Sequence, residues 1–354
     1  MRLLLLAHGP SVHTRRWARA LAARGHEIRL LTADPDPSSG LEAKTIGRAW
    51  PVAALRYASG LGAVRDELRA FRPDATLAHF VPNYGFLAAL AGARPLVVVP
   101  WGSDLLVNAG RTLLHRARVR YTLRRADLVH VDAEVLAEAA VALGAEPARV
   151  WCRAWGVDDA AFAPPRPAAR AGAPGPLRVL WTRHLEPVYD PLTFIDALGL
   201  LRKRGVPFQA LLAGEGSLRP DVEARIAREE VASGVTLLGM VPAERLRQLY
   251  HEGDLYVSLS RSDSTSQSLL EAMAARLFPI VSDIPGNREW ITHRRHGYLV
   301  PVGDAEATAC ALLEAARDPH ADEIRERAFR DAVARARFSE TVSQLEARLR
   351  ALAS

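Results

Sequence analysis

Short apolar runs alternate with stretches of helical periodicity along the whole chain. Leu3 to Ala7, Glu27 to Thr32, Ala75 to Ala78, Leu96 to Val99, Leu128 to Val131 and Val150 to Cys152 read as strands, because short runs without helical spacing suit strands buried on both faces. Between the first two, Thr14 to Arg24 sets Trp17, Ala20 and Leu21 on one helical face, and Gly25 ends it. Strands alternating with helices in this way predict βαβ units around a parallel sheet.

The pattern is interrupted once. Residues 163 to 176 are dense in Pro, Gly and Ala and read as a linker. The same alternation then restarts: strands at Arg178 to Thr182, Gln209 to Ala213, Val235 to Leu238, Leu255 to Leu259 and Pro279 to Ser282, with helices at Pro191 to Arg204, Pro220 to Glu230, near Ala243 to His251 and near Gln267 to Arg276. The expected fold class is α/β, two Rossmann-like, doubly wound domains facing a central cleft, since such sheets bind ligands at the carboxyl ends of their strands. The expected division is an N-terminal domain over 1–165, a linker over 166–176, a C-terminal domain over 177–335 and a terminal helix over 336–354.

Composition narrows the class without naming it. With 354 residues and 49% hydrophobic content the chain can bury two cores. Cys152 and Cys310 are its only cysteines, which gives neither a disulfide framework nor a thiolate metal site. The opening apolar run is too short for a signal peptide's core and reads as a strand; no run reaches the ~20 apolar residues of a membrane span. The net charge of +6 comes almost wholly from arginine, Lys44 and Lys203 being the only lysines. An arginine-rich, Ala/Gly/Pro-rich composition reflects a GC-rich genome as much as a function, so basicity favours anionic partners only weakly.

The most informative stretch runs from Ser258 to Met273, where a strand ends in a loop of small polar residues that opens into a helix. Unpaired backbone N–H groups and the positive end of the helix dipole suit a phosphate, and small side chains let it approach. Asp263 and Glu271 bracket the loop; carboxylates, being acceptors only, grip sugar hydroxyls and a ribose diol well. The alternative is a capping box, with Ser268 at the helix start and Glu271 three residues on, and Asp263 a solvated turn residue.

Asp263, seven intervening residues, Glu271 and Ala272-Met273, followed by Pro279 to Gly286, Glu289 and the segment Gly297 to Asp304, resembles the signature of glycosyltransferase family 4. The resemblance covers most of residues 177–317. It implies a GT-B fold and a retaining hexosyltransferase that uses a nucleotide-diphosphate sugar (UDP-, GDP- or ADP-linked), needs no metal or other cofactor, and passes the sugar to a glycan, lipid-linked or small-molecule hydroxyl. By the same resemblance Arg183 contacts the diphosphate, and Asp263, Ser264, Thr265, Ser266, Gln267 and Glu271 bind the donor. Gly214 lies in a small acidic turn, Val241 in the loop whose backbone meets the base, and Gly9 in the turn after the first strand.

This chain also departs from the family pattern. Asp263 stands where a glutamate is usual, Ser264-Thr265-Ser266 where Gly-Phe-Gly is usual, and Tyr189 where a lysine follows the arginine by six residues; Arg261 is a candidate for the missing charge. Pro100 to Asp104 resembles the family's His-Gly-x-Asp segment with Trp101 in place of the histidine, so no general base is assigned there. His13, His79, Trp101, Gly102 and Asp104 are the candidates for the acceptor side.

Three further features complete the reading. Arg111 to Arg125 patterns a basic amphipathic helix, which fits either an anionic membrane surface or a solvated face; a cytoplasmic enzyme, peripheral at the inner face of the membrane, is the corresponding expectation. Asp34-Pro35-Asp36 reads as an ordinary turn rather than a metal pair. Phe338 to Leu349 is amphipathic and by resemblance crosses back onto the first domain. The competing functions are a catalytically silent sugar-nucleotide-binding subunit and a GT-B epimerase. No dinucleotide fingerprint is present, and nucleic acid is not an expected partner.

Overall fold

In the computed structural model, residues 1–36, 42–47, 57, 59–162 and 175–354 are described. Residues 163–174, most of the Pro/Gly/Ala-rich stretch read as a linker, lie outside them. Two units are resolved, one of Met1–Ala154 with Ser339–Ser354 and one of Trp155–Phe338. The division therefore falls at Ala154/Trp155 and again at Phe338/Ser339, not within 166–176.

The first unit holds a seven-stranded sheet: β1 (Arg2–Leu6), β2 (Glu27–Thr32), β3 (Ala43–Thr45), β4 (Ala75–His79), β5 (Leu96–Val99), β6 (Leu128–Val131) and β7 (Val150–Cys152). Its order is β3-β2-β1-β4-β5-β6-β7, and every pairing is parallel. Leu3 to Leu6 and Val97 to Val98 are fully buried because helices cover both faces of such a sheet. The helix expected at Thr14–Arg24 spans Val12–Ala22, capped by Ser11, whose hydroxyl accepts from His13 N at 3.2 Å. Strand β3 carries no signal in the sequence: it is three residues long, half polar in character and at a sheet edge, where one row of partners suffices.

Residues Ser339–Ser354 belong to this unit. Arg24 donates to Ser343 Oγ at 2.8 Å and to Ser339 O at 3.1 Å, and Thr341 Oγ1 donates to Ala154 O at 3.0 Å.

The second unit repeats the plan with six strands: β8 (Leu177–Trp181), β9 (Phe208–Ala213), β10 (Val235–Gly239), β11 (Leu255–Ser258), β12 (Phe278–Ser282) and β13 (Tyr298–Val300). Their order is β10-β9-β8-β11-β12-β13, again all parallel. In both sheets the chain leaves the central strand to one side and returns on the other. That reversal lies between β1 and β4 in the first unit and between β8 and β11 in the second. Outside the carboxyl ends of such a strand pair the connections diverge, and ligands bind there.

The second core is organised around Trp181, fully buried, stacked on Phe194 at a centroid distance of 5.3 Å, with its Nε1 donating to Arg183 O at 2.8 Å. Phe194→Ala removes one ring of that stack and is expected to cost about 3–5 kcal/mol. Trp181→Phe keeps the stack but removes a donor from a carbonyl, costing about 1–3 kcal/mol. Urea unfolding of the two variants tests that ranking.

Candidate functional site

Three of the expected donor-side features converge at the carboxyl ends of β8 and β11. Arg183 follows β8, Asp263 to Ser266 follow β11, and Glu271 lies one turn inside the helix Gln267–Ala274. Arg183 reaches across the strand pair: Nη2 donates to Asp263 Oδ2 at 2.6 Å, and Nη1 to Ser266 Oγ at 2.7 Å and Ser268 Oγ at 3.1 Å. Its side chain is only 10% exposed and Asp263's 18%. Tyr189, at the position of the expected lysine, lies under the guanidinium at 4.1 Å. The charge absent from position 189 is thus replaced by a ring that fixes the plane of the remaining one.

The helix start differs from the capping box. Ser266, not Ser268, is the N-cap, its hydroxyl accepting from Leu269 N at 3.4 Å. Ser268 Oγ instead bonds Arg183 and the Tyr256 hydroxyl, the latter at 2.7 Å. Glu271 is not spent on capping: Oε2 accepts from the Tyr250 hydroxyl at 2.9 Å. Ser264, Thr265 and Ser266 are buried, and Thr265 Oγ1 accepts from Trp290 Nε1 at 3.2 Å. The loop backbone packs against Gly286, where a Cβ would sit 2.0 Å from Ser264 O. Gln267 donates from Nε2 to Gly156 O at 2.6 Å.

Other expected residues support this loop from behind. A Cβ on Gly214 would lie 2.3 Å from Arg183 O, and one on Gly216 2.3 Å from Leu185 O. The Gly214-Glu215-Gly216 turn is therefore where backbone meets backbone, which brings the residue after β9 against the Arg183 loop. Val241 follows β10, two residues beyond Gly239, whose φ of 67° needs glycine. Arg261 is bound to Asp190 at 2.8 Å, so its charge already has a carboxylate partner. A pocket of about 100 Å³ beside Glu271 is lined by Val157, Asp158, Leu246, Arg247, Tyr250 and His251, among others.

Tyr250, Thr182 and Ser268 are the members of this constellation that the sequence did not single out as site residues. Tyr250 lies on the helix Ala243–Glu252 and a buried helical tyrosine reads as core; its partner Glu271 is 21 residues on. No spacing rule links the two.

In the first unit the candidates also cluster, at the carboxyl ends of β1, β4 and β5. Trp101 Nε1 donates to His79 Nδ1 at 3.1 Å, and the His13 ring meets Trp101 edge-on at 5.9 Å. Asp104 accepts from Trp101 N and Val81 N, both at 2.9 Å, and so pins the loop that carries Trp101. Gly102 has φ 92° and ψ −72°, a conformation closed to side chains. Gly9 donates to Thr32 Oγ1 at 2.9 Å, and a Cβ on it would meet Asp34 O at 2.5 Å. Asp36, the second acid of the Asp34-Pro35-Asp36 turn, is paired with Arg15 at 2.7 Å.

Burial sets the protonation of this unit. His79 is pushed down to about 3 by burial, with His130 and His13 adding to it, and His13 to about 4 by burial and Arg16. His130, stacked on Trp151 at 4.2 Å, is pushed down by burial to about 4. Burial raises Asp104 to about 6 despite its backbone N–H bonds. His79 is neutral at pH 7, and because Nδ1 accepts, its proton is on Nε2.

These shifts oppose one another below neutrality. A histidine with a depressed folded pKa stabilises the fold above 6.5 and loses that as pH falls toward 4, roughly 2 kcal/mol each for His13, His79 and His130 by pH 5. Asp104, raised, regains only about 1 kcal/mol between pH 7 and 5. The histidines win. Urea unfolding is expected to lose about 4–5 kcal/mol between pH 7 and 5, and His130→Phe, which keeps an aromatic ring on Trp151, to lose clearly less.

Comparison with known proteins places the chain in a family. A family model described as "Glycosyl transferases group 1" matches residues 176–318, and one described as "Glycosyl transferase 4-like domain" matches residues 8–152. The amylovoran biosynthesis glycosyltransferase AmsK of Erwinia amylovora is 26% identical over 258 residues, covering 69% of this chain and 62% of the relative, so this chain spans about three fifths of that protein. A GDP-mannose-dependent alpha-mannosyltransferase of Mycobacterium tuberculosis is 25% identical over 325 residues, 81% of this chain and 78% of the relative. The crystal structure of HepE from Anabaena, in complex with UDP and glucose, superposes with a TM-score of 0.81 at 18% identity and 98% coverage of each chain. With two parallel α/β sheets and both halves matched by glycosyltransferase models, the chain belongs to glycosyltransferase family 4 and has the GT-B fold.

Proposed function

We propose that this chain is a retaining, metal-independent hexosyltransferase that moves a sugar from a nucleotide-diphosphate sugar to a hydroxyl of a glycan, glycolipid or small molecule. The observation that carries the reading is the convergence of Arg183, the loop 263–266 and Glu271 outside β8 and β11. The loop amides and the dipole of the following helix receive the diphosphate, Arg183 lies beside them, and Glu271 takes the ribose diol. Gly214 and Val241 shape the same end of the sheet, and Asp263 offers its remaining lone pairs to sugar hydroxyls.

In the proposed reaction the bond between the anomeric carbon and the β-phosphate oxygen breaks, and its electron pair stays on that oxygen. The acceptor hydroxyl attacks from the face being vacated, and its proton passes to a phosphate oxygen. Positioning and electrostatic stabilisation of the departing diphosphate supply most of the rate, which accords with the absence of a neutral-pH base at Trp101 and with His79 holding its Nδ1 toward the indole.

UDP-glucose, GDP-mannose and ADP-glucose are the probes. One of them is expected to raise the melting temperature, because it binds only the native state. Arg183→Ala is expected to lower kcat/KM roughly 100-fold or more. Binding without transfer to any hydroxyl would make the chain a silent binding subunit; donor turnover without acceptor would make it an epimerase. Activity lost to EDTA and restored by manganese would overturn metal independence.

The reading extends to location. No helix among the described residues is long and apolar enough to cross a membrane. The helix Leu113–Arg125 exposes Arg116, Arg120, Arg124 and Arg125, with Leu113 87% and Leu114 61% exposed at its start. Among the described residues none of Arg111, Arg116, Arg118, Arg120, Arg124 or Arg125 forms an ion pair, whereas arginines elsewhere are mostly paired. Unpaired cations beside exposed leucines support docking on an anionic leaflet, at about 1 kcal/mol per arginine. Neutralising Arg116, Arg120 and Arg124 together is expected to abolish co-sedimentation with phosphatidylglycerol vesicles while leaving transfer to a soluble acceptor intact; unchanged sedimentation refutes the docking.

A further inference from the structure

We infer that Tyr250 is a positioning residue of the donor site, its phenol holding the Glu271 carboxylate in place and tying it to the loop that carries Arg183. The inference rests on the donor reading of Glu271 above and adds a residue that reading does not contain.

Three polar groups surround the Tyr250 hydroxyl: Glu271 Oε2 at 2.9 Å, Thr182 Oγ1 at 3.0 Å and Ser268 O at 3.3 Å. A phenol has one proton to give. The carboxylate is the strongest acceptor of the three and takes it, and the Thr182 hydroxyl can donate in turn to the phenol oxygen. Burial, with the Glu271 charge beside it, pushes the Tyr250 phenol well above its ordinary range, so the proton stays on tyrosine.

The contacts come from the segments that build the site. Thr182 precedes Arg183 on the loop after β8; Ser268 and Glu271 are on the helix that opens from the phosphate loop. Ser268 meets Tyr250 through its carbonyl and Arg183 through its hydroxyl. The hydrogen bonds therefore run from Glu271 to Tyr250 and from Tyr250 to Thr182, the residue before Arg183 in the chain, while Ser268 sets its carbonyl beside the phenol and its hydroxyl on Arg183. The ring itself is 4% exposed and packs near Tyr256 at 6.5 Å, so the phenol oxygen cannot wander. A glutamate side chain has three rotatable bonds, and an unanchored carboxylate would lose that freedom on binding a diol; the tyrosine removes the cost in advance.

The test measures UDP and GDP binding by calorimetry in the full chain. Tyr250→Phe keeps the ring and deletes only the hydroxyl. Its expected effect is about a fivefold to tenfold weaker affinity for the nucleotide that binds wild type, as for loss of an ordinary hydrogen bond, with donor KM rising and kcat changing less than twofold. In a Glu271→Ala background the Tyr250→Phe penalty is expected to vanish, and with 2′-deoxy-UDP or 2′-deoxy-GDP to shrink. A merely structural tyrosine would lower the melting temperature and show the same penalty in both backgrounds. Unchanged affinity in Tyr250→Phe, or an additive double variant, overturns the inference while leaving the donor site standing. If Glu271→Ala itself leaves affinity unchanged, or neither nucleotide binds, the donor reading fails and the inference with it.

Discussion

Arg183 and Asp263 are 80 residues apart in sequence and 2.6 Å apart in space, and that distance is set by strand order. Strand β8 leaves toward β9, and β11, arriving from the far side, pairs with β8 directly. Were the sheet ordered by sequence, two strands, β9 and β10, would stand between the two loops. The reversal makes them neighbours and turns their connections away from each other. The remaining contacts of the site follow from the position this gives the guanidinium. Ser266 and Ser268 complete its in-plane bonds, Tyr189 covers its face, and Gly214 is bare because the Arg183 backbone occupies the space a Cβ needs.

The pair is poor evidence for stability, because taking two charges out of water costs about what their attraction returns. Its value is geometric. A guanidinium held by a carboxylate, two hydroxyls and a ring has few orientations left. The same bonds make its field nearly neutral, and Arg261, the other cation of the loop, is spent on Asp190. On the proposed donor reading, attraction for an anion at this end of the sheet comes chiefly from oriented backbone N–H groups and the helix dipole. Tyr189 contributes rigidity there, its ring lying under the guanidinium.

What was legible in the sequence follows the same division between local and non-local causes. Buried parallel strands declare themselves as apolar runs, so β1, β4, β5, β8 and β11 were readable, whereas β3 and β13, three residues each, were not. Asp263 and Glu271 were readable because the loop and helix that carry them are contiguous. Their partners were not: that Arg183 binds Asp263, or that Tyr250 binds Glu271, depends on which strands pair. The two placements of the helix start, Ser266 or Ser268, differ by half a turn, and both hydroxyls accept from Arg183. The division at Ala154/Trp155 is where one core's contacts end, a non-local property that composition does not signal.

The resemblance leads one to expect a histidine where Trp101 stands; the histidine the structure supplies there is His79, from the neighbouring strand, which accepts the indole N–H. The two are not equivalent. An imidazole so deeply buried that it titrates near 3 cannot draw a proton from a hydroxyl at neutral pH, and its accepting nitrogen is turned to the tryptophan. Its Nε2 proton makes it a donor. Held by Trp101 in this way, His79 is confined to donating from Nε2 and supplies no base at neutral pH.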